Sequence, residues 1–396
     1  MKESKSAFLL KFSVLSISMM MISAPAINGI LPEIRDDLGI TQAQSELLMT
    51  IPSLATLFAV LASSAVTKKI GMKKTTIIGL VLAGVSGIAP VFVSHYGLLL
   101  LTRAFFGIGL GLFKSLAVRY ITLLFEPHER AKLMGYRSAF EQGGQSLLAA
   151  CAGLLFALNW NASFLVYVLP LFLAVLFYFV VPDVRPQQKE EMDRQSSVAP
   201  GSGAEEKMPM SVYLLSLFAA SIVMFGASIA IRFPAMVAEV RGAGYNSSYL
   251  FAIKPLFGIV AGAMFGIIYK KIGKNLLYVG ILGLATAAAL IGFSQGNFAI
   301  LVAGFLLSGL VPSWIMPFVM MTVSKRTSGQ MQTVAMSYIV AGIQGGVFLM
   351  TPMIQLVGRL LGNDALTAPY YVLSGTLIVM LLFIMSMGPK LMKQPA

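Results

Sequence analysis

A few charged residues stand inside long apolar runs, and any chemistry in this chain has to be sought there. Arg103 and Lys114 lie in one run, Arg137 and Glu141 in the next, Arg232 in a later one, and Lys254 just ahead of Pro255 in another. A charge within such a segment costs about 3 kcal/mol on insertion scales, so it normally faces a bundle interior. Arg103, Gly107, Gly111 and Lys114 recur at helical spacing and share one face, where the glycines leave room beside two cations. Arg137 and Glu141 are four residues apart and can pair. Arg119, Arg137 and Arg232 are near enough to helix ends to snorkel to an interface, whereas Lys114 and Lys254 lie deeper. The embedded cations Arg103, Lys114 and Lys254 outnumber the one clearly embedded acid, Glu141, which predicts a cationic interior suited to an anionic or polar neutral ligand. Asn28, Gln142, Trp314 and Gln344 are neutral candidates to line the same cavity, although hydrogen bonding between helices is the commoner use of such residues. Glu141, with Arg137 as its partner, is the expected proton-coupling group, and Asp36, beside Glu33 and Asp37, is a second candidate that also reads as a solvated loop charge.

The elements that position these residues follow from composition. The chain has 396 residues, 57% hydrophobic and 11% charged, against about 25% charged in soluble domains. Its apolar residues fall in blocks of about 20, the length of a membrane-spanning helix. Spans are expected near 8–31, 46–67, 75–94, 97–122, 133–157, 162–181, 211–235, 247–269, 275–294, 297–323, 331–357 and 367–388. Backbone groups in hydrocarbon must be satisfied internally, which helices achieve, and the weak alternating strands of a membrane β-barrel are absent. The first block could be a signal peptide, but its length and internal prolines favour a helix.

Of the 29 Lys and Arg residues, only Arg35, Arg232, Arg241 and Arg359 fall at one set of span ends, and Arg103, Lys114 and Lys254 fall inside spans. The rest gather at the opposite ends, among them Lys68, Lys69, Lys73, Lys74, Arg130, Lys132, Lys270, Lys271, Lys274, Lys325 and Arg326. The positive-inside rule then places both termini in the cytoplasm. It also accounts for the net charge of +13 without nucleic acid as a partner. The polar stretch from Pro182 to Pro209 reads as a flexible linker. It separates an N-terminal six-helix bundle, 1–181, from a C-terminal one, 211–396, with the linker at 182–210.

The two halves match at a constant offset. Lys68-Lys69-Ile70-Gly71 recurs as Lys270-Lys271-Ile272-Gly273, 202 residues later. Gln142-Gly143-Gly144 recurs as Gln344-Gly345-Gly346, and Met134, Tyr136, Pro32 and Gly107 recur as Met336, Tyr338, Pro234 and Gly309 at the same offset. Parallel repeats of this kind place a ligand site near the bilayer midplane between two rocking halves.

The loop Ser64 to Lys73, with Lys68, Lys69, Gly71 and Lys73, and its second copy from Gly266, with Lys270, Lys271 and Gly273, resemble the G-x-x-x-D-[RK]-x-G-[RK]-[RK] signature of the major facilitator superfamily. Lysine stands at the acidic position in both copies. The run Arg103-Ala104-Phe105-Phe106-Gly107-Ile108-Gly109 resembles that family's second motif, with Phe106 where glutamine is common. The pattern from Trp160 to Phe164 is also similar to the family, and the resemblance covers nearly the whole chain. The glycine-proline pair of the drug/proton antiporters is missing from span 5. The resemblance implies an all-α membrane protein with twelve helices in two pseudo-symmetric bundles. It implies a secondary transporter in the plasma membrane, working by alternating access, with a cytoplasmic gate at the Lys68 and Lys270 loops.

The expected partners are a small-molecule substrate, the lipid bilayer and protons, acting on a monomer. A multidrug efflux pump, drawing on 24 Met and 26 Phe residues for an adaptable apolar cavity, is the alternative, and a non-transporting membrane sensor the rival from another class. An enzyme is not expected: no metal-protease, nucleophile-elbow or phosphate-loop motif is present. With one cysteine, Cys151, and two histidines far apart, neither a disulfide, a metal site nor a cofactor is expected.

Overall fold

A computed structural model describes residues 2–114, 116–184, 208–242, 244–273, 275–327, 329–362 and 365–391. Among the described residues there are helices and connecting turns and no strand. In chain order these are α1 (Lys2–Ser16), 3-10 turns at Ile17–Met20 and Ala24–Ile30, α2 (Leu31–Asp37), α3 (Gln42–Ile70), α4 (Met72–Ile88), α5 (Tyr96–Lys114) and α6 (Leu116–Leu124). Then come α7 (Pro127–Leu155), a 3-10 segment (Asn161–Val168), α8 (Leu169–Val180), α9 (Met210–Arg241) and α10 (Ser248–Ile272). The last are α11 (Asn275–Gly292), α12 (Phe298–Leu310), α13 (Pro312–Arg326), α14 (Gly329–Leu361) and α15 (Pro369–Leu391).

Ten stretches among the described residues are long and apolar enough to cross a bilayer. The first expected span is instead a bent pair, Phe8–Met20 and Ala24–Asp37, meeting at 47°. Pro25 lies just past the break and explains it, since proline cannot supply the amide that a continuous helix needs. Composition therefore supports ten crossings among the described residues, or eleven with the bent pair as one span, and α7 is the further long helix at the expected span 133–157. Its 29 residues reach about 43 Å at 1.5 Å per residue. It is less apolar than the other long helices because Arg137, Glu141, Gln142 and Gln145 run through its middle.

The described residues fall into two compact units. One comprises Met1–Ala24 and Ile51–Lys207, the other Pro25–Thr50 and Met208–Ala396. The segment 25–50 thus belongs with the second unit although it precedes the linker in sequence. The linker expected at 182–210 lies outside the described residues except at its two ends.

Close helix packing uses the repeated small residues. In the first unit Gly79 and Gly109 let α4 and α5 approach backbone to backbone: a Cβ on Gly79 would sit 2.8 Å from the Gly109 carbonyl oxygen. The 202-residue offset seen in sequence recurs in these contacts. Gly144 of α7 abuts Met19, and Gly346 of α14, at that offset from Gly144, abuts Ala220 of α9. Gly107 of α5 abuts Pro52 of α3, and Gly309 of α12 abuts Lys254 of α10, with 52 and 254 separated by that same offset. At each of these positions an added Cβ would collide with its neighbour. The paired loop glycines have a different reason to be glycine. Gly71 (φ 87°) ends α3 and Gly273 (φ 54°) ends α10 in the left-handed region, which a side chain rarely adopts.

Candidate functional site

In the first unit, Arg103 of α5 is only 2% exposed. Its guanidinium carbon lies 4.8 Å from the Phe106 ring, 4.9 Å from Phe164 and 5.0 Å from Tyr167. Nη2 reaches the Gly87 carbonyl oxygen at 3.4 Å, and Nε is buried with no partner. No carboxylate faces this cation among the described residues. Three aromatic faces stabilise it instead, through the attraction of a cation to the ring quadrupole. The Tyr167 hydroxyl donates to the Ser23 carbonyl at 3.1 Å, which fixes one wall of the box. The room expected beside Arg103 is filled by α3. Gly107 lies against Pro52, Gly111 against Ala59 and Thr56, and the Thr56 hydroxyl donates to the Gly107 carbonyl at 2.9 Å.

Further along the same helix, Lys114 lies within electrostatic reach of Glu141 on α7. Arg137 Nη2 donates to Glu141 Oε1 in a close ion pair and also approaches Met21 Sδ at 3.8 Å. Two cations thus share one half-buried carboxylate, with side-chain exposures of 24% for Arg137 and 15% for Glu141. Gln142, the next residue of α7, is half-buried. The structure pairs Arg137 with Glu141, four residues apart on α7, and brings Lys114 of α5 to the same carboxylate, which helical spacing did not suggest.

In the second unit, Lys254 lies on α10 immediately before the in-helix Pro255. Its Nζ stands 4.3 Å above the Phe305 ring, and no acidic group faces it among the described residues. Phe305 belongs to a packed aromatic cluster with Phe233 and Phe251. Trp314 on α13 donates its indole N–H to the Ala261 carbonyl at 3.0 Å, spanning two helices. Gln344 on α14 is buried. Asn28 is buried, with Nδ2 at 3.5 Å from the Ala230 carbonyl and Oδ1 without a partner. Asp36 is exposed and engaged by Arg35 at 2.9 Å.

One expectation is corrected. Glu141 is not alone as an embedded acid: Glu46, near the start of α3, is fully buried. It pairs with Arg232 of α9, whose Nε lies 2.7 Å from Oε1. In sequence Glu46 sits in the polar run Gln42-Ala43-Gln44-Ser45-Glu46, which looks like a solvated helix start. Its partner lies 186 residues away, and no local pattern could have announced the pairing. Arg232 in turn does not snorkel to an interface but spends its charge on this carboxylate.

At the repeated loops, Lys68, Lys69, Lys270 and Lys271 are exposed, Lys73 is half-buried and Gly71 is buried. The Lys73 ammonium lies 5.3 Å from the Tyr178 ring of α8.

The chain matches the Major Facilitator Superfamily over residues 12–297. It belongs to that family. A relative from Bacillus subtilis (strain 168), described as a hexuronate transporter, is 26% identical over 290 residues. That match takes in 66% of this chain and 66% of the relative, so the superfamily member spans just under two thirds of the relative's length in it. Among solved structures, the xylose transporter XylE from E. coli in an inward-open conformation superposes with a TM-score of 0.76 at 15% identity, covering 95% of each chain. A peptide transporter POT in complex with sulfate gives a TM-score of 0.75 at 16% identity, covering 98% of this chain and 95% of that one. Both likenesses establish the fold: an all-α, multi-pass membrane architecture shared by this superfamily member.

Proposed function

We propose that this protein is a secondary transporter that carries a small carboxylate-bearing polar solute, of the sugar-acid type, across the plasma membrane by alternating access and coupled to protons. It works as a monomer with both termini in the cytoplasm and uses no cofactor. The N-terminal six-helix bundle spans 1–181, the linker 182–210 and the C-terminal bundle 211–396. The observation that carries the reading is Lys254, an embedded ammonium set against Phe305 with no acid facing it among the described residues. A cation kept in a membrane helix without a protein counter-ion marks a functional position, and a substrate carboxylate supplies the missing charge. Lys114 gives the first unit a second embedded ammonium near Glu141. The hexuronate transporter relative fits the same substrate chemistry, since a hexuronate is a sugar carrying a carboxylate.

Glu141 is the proton-coupling residue in this reading. It is the one acid of its cluster, and taking up a proton frees Arg137 and Lys114 from it. Arg137 positions it. Arg103, Asn28, Gln142, Trp314 and Gln344 support the pathway, and the Lys68 and Lys270 loops form the cytoplasmic gate. A multidrug exporter would need an acid to meet lipophilic cations. The embedded acids found, Glu46 and Glu141, are both already paired with arginine.

Ligand-induced thermal stabilisation of the purified protein tests the substrate class. A ligand that binds the folded form raises its stability by RT ln(1 + [L]/Kd), about 2.7 kcal/mol at a hundredfold excess over Kd. Galacturonate or glucuronate is expected to raise the unfolding temperature in a dose-dependent way, and the corresponding neutral hexoses to do so far less. Stabilisation by lipophilic cations alone would reverse the assignment in favour of the exporter.

A further inference from the structure

Two aromatic rings on one face of α12 each carry a cation. Phe298 opens the helix and Phe305 follows two turns later, a spacing that puts both on the same side. The Arg241 guanidinium carbon lies 4.5 Å from the Phe298 ring, and Lys254 Nζ lies 4.3 Å from the Phe305 ring. At 1.5 Å per residue the two stations stand about 10 Å apart along the helix. All four residues belong to the second unit. The sugar-acid reading uses the inner station, Lys254, and leaves the outer one without a role.

The outer station gathers a cation, two hydroxyls and aromatic faces. Arg241 ends α9 and is exposed. No carboxylate pairs with it among the described residues, whereas Arg35 is engaged by Asp36 and Arg232 by Glu46. Tyr245, half-buried between α9 and α10, packs edge-on against Phe298 with ring centres 5.7 Å apart. Tyr249, exposed in the first turn of α10, has its ring 6.1 Å from that of Tyr245, and the two hydroxyls share a hydrogen bond. A guanidinium offers a carboxylate two parallel donors. Phenol hydroxyls both donate and accept, as sugar hydroxyls do, and the ring faces can cover the apolar side of a sugar. An aromatic belt at the membrane interface would account for tyrosines here, but not for an arginine, which runs against the charge bias at this set of span ends.

We propose that Arg241, Tyr245 and Tyr249 form an outer capture site for the transported sugar acid, with Arg241 taking the carboxylate and the tyrosines the hydroxyls, ahead of its transfer to Lys254. The inference rests on the transport reading above, with both termini in the cytoplasm, which turns this end of α12 outward. An anion entering the membrane is costly unless it stays paired, and two cations on one helix face let the carboxylate leave the first as it reaches the second. Exposure suits Arg241 to a site that must release, because solvent and salt weaken its hold.

The test uses the full-length protein with Cys151→Ser and a single reporter, Tyr249→Cys, in right-side-out vesicles. The reporter costs the site one hydroxyl and keeps its cation. Tyr249 is 44% exposed, so a membrane-impermeant maleimide added outside should label the cysteine. Galacturonate at several times its Kd should slow labelling roughly threefold or more, in step with occupancy, and galactose should not. Adding Arg241→Gln should remove that protection. With Tyr249 intact, Arg241→Gln should lower galacturonate uptake at concentrations below KM about tenfold, the loss expected for a hydrogen bond to a charged group. Labelling that galacturonate leaves unchanged overturns the outer site, and so does protection that survives Arg241→Gln. A reporter that external maleimide never reaches overturns it too. If labelling responds to anionic lipid in the vesicles and not to galacturonate, the ligand is a lipid headgroup and the capture site is wrong. Labelling requires no transport. Protection without flux sinks the transport reading alone, and flux without protection sinks the outer site alone.

Discussion

Lys254→Ala should raise the KM for a sugar acid roughly 10- to 100-fold while leaving the ligand-free protein at least as thermally stable. The first half follows from the energy of a hydrogen bond to a charged group, about 1.5–3 kcal/mol, acting on a carboxylate held next to the Phe305 ring. The second half follows from what surrounds the ammonium. Lys254 has an aromatic face at 4.3 Å and no acid among the described residues. Removing it relieves an uncompensated desolvation cost instead of breaking a pair. A purely structural lysine would behave in the opposite way, with a lowered unfolding temperature and an unchanged KM. Lys254→Arg is not expected to rescue, because the planar guanidinium needs a different geometry from a compact ammonium. Initial-rate uptake kinetics beside thermal unfolding curves separate the two cases.

Glu141→Gln should abolish accumulation driven by a pH gradient, lowering it at least tenfold relative to the unaltered chain, while exchange of labelled for unlabelled substrate continues. Glu141 is shared by Arg137 and Lys114. Its carboxylate is the one group in that cluster that can pick up and release a proton without leaving the pair geometry built on α7. Glutamine keeps the size and an acceptor for Arg137 but carries no exchangeable charge. Exchange needs only the substrate-loaded movement, so it survives, and net proton-driven uptake does not. If the variant accumulates substrate as well as the unaltered chain does, the proton is carried elsewhere, and Glu141 serves only to neutralise Arg137.

Much of the architecture was legible because the bilayer imposes its own length scale. Blocks of about 20 apolar residues named the spans, and the Lys68–Gly71 and Lys270–Gly273 copies named the duplication. The structure gives that duplication a physical basis in the paired close approaches of Gly107 to Pro52 and Gly309 to Lys254. Bends were harder to read. The first span breaks near Pro25 although its apolar run is continuous. The Arg137–Glu141 pair was legible because helical spacing alone brings the two together, whereas Lys114 joins it from another helix.

What could not be read is what distant segments contribute. The box around Arg103 takes Phe164 and Tyr167 from a separate 3-10 segment. Glu46 gains its meaning from Arg232, half a chain away. A polar residue four positions into a helix looks solvated until the helix that covers it is known. Counting embedded charges from sequence therefore missed one acid, while the excess of cations without a facing acid, Arg103 and Lys254, persisted among the described residues.

The most direct measurement is uptake of radiolabelled galacturonate or glucuronate into proteoliposomes holding the purified protein, with an imposed pH gradient. The account predicts accumulation above the equilibrium level, abolished by a protonophore and competed by other sugar acids but not by lipophilic cations. Absence of any sugar-acid flux from protein that passes lipophilic cations would contradict it.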